Sequence, residues 1–179
     1  PDTPVHLVAG ARDTPRRAGD NGALAAMDAF PHVEAATSIP RNVVYEDRSL
    51  HVQLLPHRAI LRGPHPVTEP DPRARWNVLA AYGRVSLDEG PGLQVDASAW
   101  SYVALGSDHG YRALAPQAVY AGALERVGPA PWREAGEEKG FVVADLEDHA
   151  EGLGAPGLDR LGLHERAIPQ FVSDAAHPF

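Results

Sequence analysis

Apolar residues along this chain fall in short runs separated by glycine, proline and acidic turns. Val5–Ala9 is such a run, closed by Gly10, and predicts a strand. The polar stretch Asp13–Asp20 predicts a loop. Asp20 or Asn21 then stands where it could cap a helix over Ala23–Met27 that ends near Phe30 and Pro31. Val33–Ser38 returns as a strand, so the chain opens β-α-β.

From Asn42 the period becomes two. Val43–Tyr45 leads into a turn at Asp47–Ser49, and Leu50, Val52 and Leu54 then alternate with His51 and Gln53, which predicts a hairpin. Ala59–Arg62 reads as a further short strand. Gly63–Arg75 contains Pro64, Pro66, Pro70 and Pro72 and predicts a loop. Short strands are expected over Trp76–Tyr82, Arg84–Leu87, Leu93–Val95 and Ser101–Leu105. Gly106–Gly110 reads as a hairpin turn. Ala118–Val127 reads either as a helix or as a strand and loop. Pro131 could open a helix that Gly140 closes. Phe141–Ala144 predicts a strand, and Asp159–Phe171 a helix interrupted at Pro169.

Seventeen prolines and seventeen glycines reject a helical bundle and favour many turns. The expected class is α+β: a β-rich barrel or bent antiparallel sheet with a few short helices, in a single domain over residues 1–179.

Charge and composition narrow the function. A net charge of −8 excludes a general nucleic-acid surface, which requires a basic stripe. Lys139 is the only lysine among sixteen basic residues. No apolar run reaches the roughly 18–20 residues of a membrane helix, so no membrane partner is expected. The first residues lack the basic start and apolar segment of a signal peptide. There is no cysteine, hence no disulfide frame and no thiol chemistry. Together these predict a soluble, cytoplasmic protein acting on a small molecule.

The densest chemistry lies in Glu125–Phe141, ERVGPAPWREAGEEKGF. Arg133, Glu134, Glu137, Glu138 and Gly140 follow the spacing R-E-x-x-E-E-x-G, with Glu125 eight positions before the arginine. Glu134, Glu137 and Glu138 would share one helix face, where like charges repel by roughly 0.2–0.5 kcal/mol per pair, and a divalent cation is the usual counterweight. The spacing resembles the Nudix box, G-x5-E-x7-R-E-U-x-E-E-x-G-U, where U is a bulky aliphatic residue. Val119 and Ala135 stand where that box has its leading glycine and first aliphatic residue.

The resemblance implies a loop-helix-loop whose carboxylates hold Mg²⁺ or Mn²⁺ against a diphosphate. Glu134, Glu137 and Glu138 would be metal ligands or base, Glu125 an accessory ligand, and Arg133 would orient the carboxylates. Mg²⁺ takes hard oxygen ligands and keeps waters, one of which would attack phosphorus. The implied activity is hydrolysis of a diphosphate-linked, nucleotide-type substrate. Without the family, the same residues read as an exposed acidic helix with an Arg133–Glu137 pair, its charge damped by Lys139.

Two other readings stand beside it. One is a non-catalytic β-barrel that binds a ligand or partner, with Trp76, Trp100, Tyr102, Tyr111 and Trp132 lining a pocket or filling the core. The other is a metal barrel in which His51, His57 and His65 converge with Glu69. A second acidic cluster, Asp145, Glu147, Asp148, His149 and Glu151, follows the predicted strand at Phe141–Ala144 and reads as a solvated loop.

Overall fold

The computed structural model describes residues 3–14, 22–61, 68–87, 92–126, 132, 134, 136 and 139–146, and the backbone of 162–167. Its class is α+β. The centre is one six-stranded mixed sheet of order β3-β4-β5-β8-β10-β9. These strands are β3 (Arg41–Tyr45), β4 (Leu50–Leu55), β5 (Trp76–Tyr82), β8 (Tyr102–Gly106), β9 (Arg112–Ala115) and β10 (Ala118–Tyr120). Among the described residues the sheet does not close into a barrel; β3 and β9 are its edges.

The inner pairings β4–β5, β5–β8 and β8–β10 are all parallel, and only the outer strands β3 and β9 pair antiparallel. The turn-rich pattern suggested an antiparallel sheet throughout. Parallel neighbours require crossovers, and the segments between the inner strands supply them. After β4 comes helix α1 (His57–Leu61), and after β5 come β6 (Val85–Ser86) and β7 (Leu93–Gln94), which pair parallel with each other. Residues 106–110 do not form a hairpin turn, because β10 lies between β8 and β9.

Parallel strands are stable when both faces are covered. On one face Leu79, Val103, Leu105 and Ala118 pack with Val85 and Leu93 of the β6–β7 layer and with Trp100, which is 2% exposed. On the other face Val52, Leu54, Val78 and Ala80 meet Val8 and Ala36. Those two residues come from β1 (Val5–Val8) and β2 (Val33–Ala36), a parallel pair in register Val5↔Val33. The β-α-β opening is therefore present, but its helix is a 3-10 segment, Ala23–Ala29, with Gly22 at its N-cap. Asp20 and Asn21 lie outside the described residues.

The hairpin forms as read. Val43 opposes Val52, and Ser49 takes a left-handed φ of 49° to close the turn. His51 and Gln53, which alternate with the apolar residues of this strand, are buried because β4 is covered on both sides.

Two elements differ in type. Of Ala59–Arg62, expected as a strand, Ala59–Leu61 falls on α1, whose first turn starts at Pro56 with Ala59 N donating to Pro56 O at 2.9 Å, and Arg62 lies outside the described residues. Proline's fixed φ suits a first helical turn, and four residues are too few for periodicity to reveal it. The helix expected over Asp159–Phe171 is instead β12 (Gly162–Ala167), paired antiparallel with β11 (Gly140–Asp145) from Gly140↔Ala167 to Asp145↔Gly162. A partner strand distant in sequence overrides a weak local helical pattern. Among the described residues no helix is long and apolar enough to cross a membrane.

Candidate functional site

Because the inner strands are parallel, β5, β8 and β10 end along the same edge of the sheet. Ligands of parallel sheets bind outside such carboxyl ends, where the connecting loops diverge. A cleft of about 440 Å³ lies there, walled by Gly83–Ser86 after β5 and by Ser107, Asp108 and Arg112 after β8. Tyr120, the last residue of β10, forms part of the lining.

The walls are fixed by specific contacts. The buried Tyr120 hydroxyl donates to Gly83 O at 2.9 Å and accepts from Val85 N at 3.0 Å, which pins the β5–β6 turn to the sheet. The carbonyl of Arg84 accepts from Leu93 N at 3.0 Å. Gly92 allows that approach: its φ is +115°, and a Cβ there would collide with the same carbonyl. Arg84 itself is exposed, and its guanidinium forms no hydrogen bond or ion pair among the described residues.

Across the cleft, Arg112 Nε donates to Asp108 Oδ2 at 3.1 Å while its guanidinium lies 4.7 Å over the Tyr120 ring. Ser107 turns the chain out of β8 at φ +106°. That conformation costs a non-glycine residue roughly 1–3 kcal/mol and persists only where the surroundings hold it.

Behind this wall lies a charged cluster. His109 Nδ1 donates to Glu134 Oε1 at 3.0 Å, and Lys139 Nζ donates to His109 O at 3.0 Å. Lys139 Nζ is also 3.1 Å from Glu134 Oε2, a close charge contact rather than an aligned hydrogen bond. Arg126 Nε donates to Glu134 O at 3.1 Å. The hydrogen bond from His109, opposed by burial and aided by Lys139, holds the Glu134 carboxyl below the usual range.

Glu134, the one described member of the acidic trio, is therefore engaged with His109 and Lys139. Glu125 is exposed. Arg133, Glu137 and Glu138 lie outside the described residues. Among the described residues no three His, Asp or Glu side chains converge as a metal site.

The histidine constellation is not assembled. His51 is buried beside Trp100, its Nδ1 3.0 Å from Asn77 Oδ1 and its Nε2 3.3 Å from Asn42 Oδ1. His57 lies past the other end of β4, edge-on to Tyr82. Five extended residues separate the two by roughly 15 Å, too far to share an ion. His65 is outside the described residues, and Glu69 is exposed. Of the second acidic cluster Asp145 ends β11, and Glu147, Asp148, His149 and Glu151 are not described.

The aromatic residues divide between core and surface. Trp100 fills the core, Tyr102 is partly buried with its hydroxyl pKa pushed up to about 12 by desolvation, and Trp132 is 74% exposed.

No protein-family model matches the chain, and no curated protein matches it. The cleft residues Arg84, Ser86, Ser107 and Arg112 escaped the sequence reading because they meet only through parallel crossovers. One local signal was present. β5 and β8 each run into a glycine followed at once by a polar residue, Gly83-Arg84 and Gly106-Ser107.

Proposed function

We propose that the protein binds a small oxyanion-bearing molecule, a phosphate or carboxylate, in the cleft at the carboxyl edge of β5, β8 and β10. The observation that carries this reading is Arg84, an exposed guanidinium without an ion pair among the described residues, facing a polar cleft that also contains Arg112. A guanidinium engages an oxyanion through two parallel N–H bonds, and charge-assisted bonds of this kind contribute about 1.5–3 kcal/mol each. Arg112 is already oriented by Asp108 and Tyr120 and presents its remaining N–H groups with little loss of side-chain freedom.

Calorimetric titration of the full chain with inorganic phosphate, diphosphate and a short dicarboxylate tests the reading. Binding by at least one anion, weakened at least tenfold in Arg84→Ala, is expected. An absence of binding, or binding untouched by Arg84→Ala, overturns it.

A second reading is favoured by the position of Glu134 directly behind the cleft wall. A diphosphate held by Arg84 and Arg112 would then lie close to the segment that resembles a Nudix box. Glu134, Glu137 and Glu138 would hold Mg²⁺ there, with Arg133 orienting them. This reading requires Glu134 to exchange Lys139 for the metal. Mg²⁺-dependent phosphate release from a nucleoside diphosphate, abolished in Glu138→Gln, is its expected signature. Diphosphate binding that is indifferent to Mg²⁺, with no release, removes it.

A further inference from the structure

The loop that forms one wall of the cleft is held in place from behind by groups that do not line it. His109 O is the focus: it accepts from Ala123 N at 3.0 Å and from Lys139 Nζ at 3.0 Å. The His109 ring is gripped separately, by Glu134 Oε1 at 3.0 Å. Gly122, at φ +84°, passes so close that a Cβ would be 3.1 Å from both His109 O and Tyr111 N. Only two residues, Gly110 and Tyr111, separate His109 from Arg112, and Asp108 and Ser107 precede it directly. A group that fixes His109 therefore fixes the wall on both of its sides.

The ion pair that does this is largely buried, with the Lys139 side chain 6% exposed and that of Glu134 12%. Buried pairs rarely add net stability over apolar residues of similar size, because desolvating two charges offsets their attraction. Their best-attested use is to hold one arrangement in preference to others. The local geometry here needs such a device: Ser107 carries a left-handed φ, and the Asp108–Arg112 pair is at the surface, where ion pairs alone contribute only about 0–1 kcal/mol.

We propose that Glu134 and Lys139 are positioning residues for the oxyanion cleft, clamping His109 so that Ser107 and Arg112 are presented in one fixed geometry. This rests on the cleft being the binding site, and it assigns Glu134 a role distinct from metal ligation. Neither residue touches the ligand. Both act through His109.

The test measures diphosphate affinity of the full chain as a double-mutant cycle, which separates coupled from independent effects. Glu134→Gln keeps the shape and an acceptor for His109 but removes the charge facing Lys139. Lys139→Met keeps length and removes the donor to His109 O, and Lys139→Arg restores a donor. Glu134→Gln and Lys139→Met are each expected to weaken binding five- to tenfold, with Lys139→Arg recovering most of that loss. In an Arg112→Ala background the effect of Glu134→Gln should shrink to about twofold, and in an Arg84→Lys background it should persist in full. A general loosening of the fold would weaken binding equally in both backgrounds, and that result overturns the proposal.

If the wild-type chain binds none of the anions, the cleft reading fails by itself. Positioning is then judged by amide hydrogen exchange over residues 107–112. Exchange that is at least tenfold faster in Lys139→Met supports the clamp, and unchanged exchange overturns it.

Discussion

The two ends of the inner strands use polar residues in opposite ways. At the amino end, Asn77 Oδ1 accepts from Asp71 N at 2.8 Å and its Nδ2 donates to Asp71 O at 3.2 Å, which fixes the orientation of the amide. His51 Nδ1 therefore donates to Asn77 Oδ1, and Asn42 meets the other ring nitrogen. Ser101 continues the chain of bonds: Asn77 N donates to Ser101 Oγ at 3.0 Å and Ser101 N to Asn77 O at 2.9 Å. His51, the Asp71–Asn77 segment and Ser101 are joined by groups that satisfy one another, and Asn42 Oδ1 of β3 lies beside the remaining ring nitrogen. At the carboxyl end, Arg84 has no such partner among the described residues, and the cleft stays open to solvent. A closed polar network specifies pairing and register, whereas an open polar cleft is suited to meeting a ligand.

That contrast makes the amino end the place where substitution harms the fold most. Asn77→Ala leaves His51 Nδ1 and Asp71 N without partners in a buried site, and each orphaned group costs about 1–3 kcal/mol. A loss of about 3 kcal/mol in chemical denaturation is expected, with anion affinity per folded molecule unchanged. Equal stability in the variant would mean that water replaces the amide and that the network is not closed.

Arg84→Ala should show the reverse. Affinity falls at least tenfold, while stability stays within about 0.5 kcal/mol, as for other exposed substitutions. Tyr120→Phe sits between the two patterns. It removes the bonds to Gly83 O and Val85 N, so stability should fall by about 2 kcal/mol and affinity by roughly two- to threefold, because the β5–β6 turn carries Arg84. A large stability loss without any change in affinity would show that the turn does not set the cleft.

The smallest effect is one of pH. Arg73 donates to both Asp71 oxygens, at 3.1 and 2.8 Å, and with its own backbone N–H holds the Asp71 carboxyl near 2, below its ordinary 3.8. A depressed folded value stabilises the fold fully above the unfolded value and loses that contribution as pH falls through the folded one. The denaturation midpoint should therefore drop between about pH 4 and pH 2, and by less in Arg73→Ala. An identical acid response in the variant would leave the Asp71–Arg73 pair without energetic weight.

Much of the framework was legible in the chain. The β1–β2 opening, the β3–β4 hairpin and the whole of β5 follow from runs and alternations of Val, Leu and Ala bounded by turn residues. The misreadings share a cause: each depends on what packs against the segment. Residues 59–61 look extended until α1 is seen packed beside β5. Residues 162–167 look helical until β11 offers them a ladder. The candidate site was half legible. Glu134 was singled out for its neighbours in sequence, but its environment comes from His109, twenty-five residues away, and from Lys139. Arg84 and Arg112 carried no signal as a pair, because only the parallel order of β5, β8 and β10 brings their loops together.

Lys139 gives this arrangement an internal clock. It is the only lysine in these 179 residues, and its ammonium lies under the cleft wall. An amine-selective acylating reagent has no other side-chain target here and reaches this one only when the contact with His109 opens. The rate of acylation at Lys139 therefore counts openings of the wall directly, without a mutation or an attached probe, and an anion seated in the cleft should slow that count.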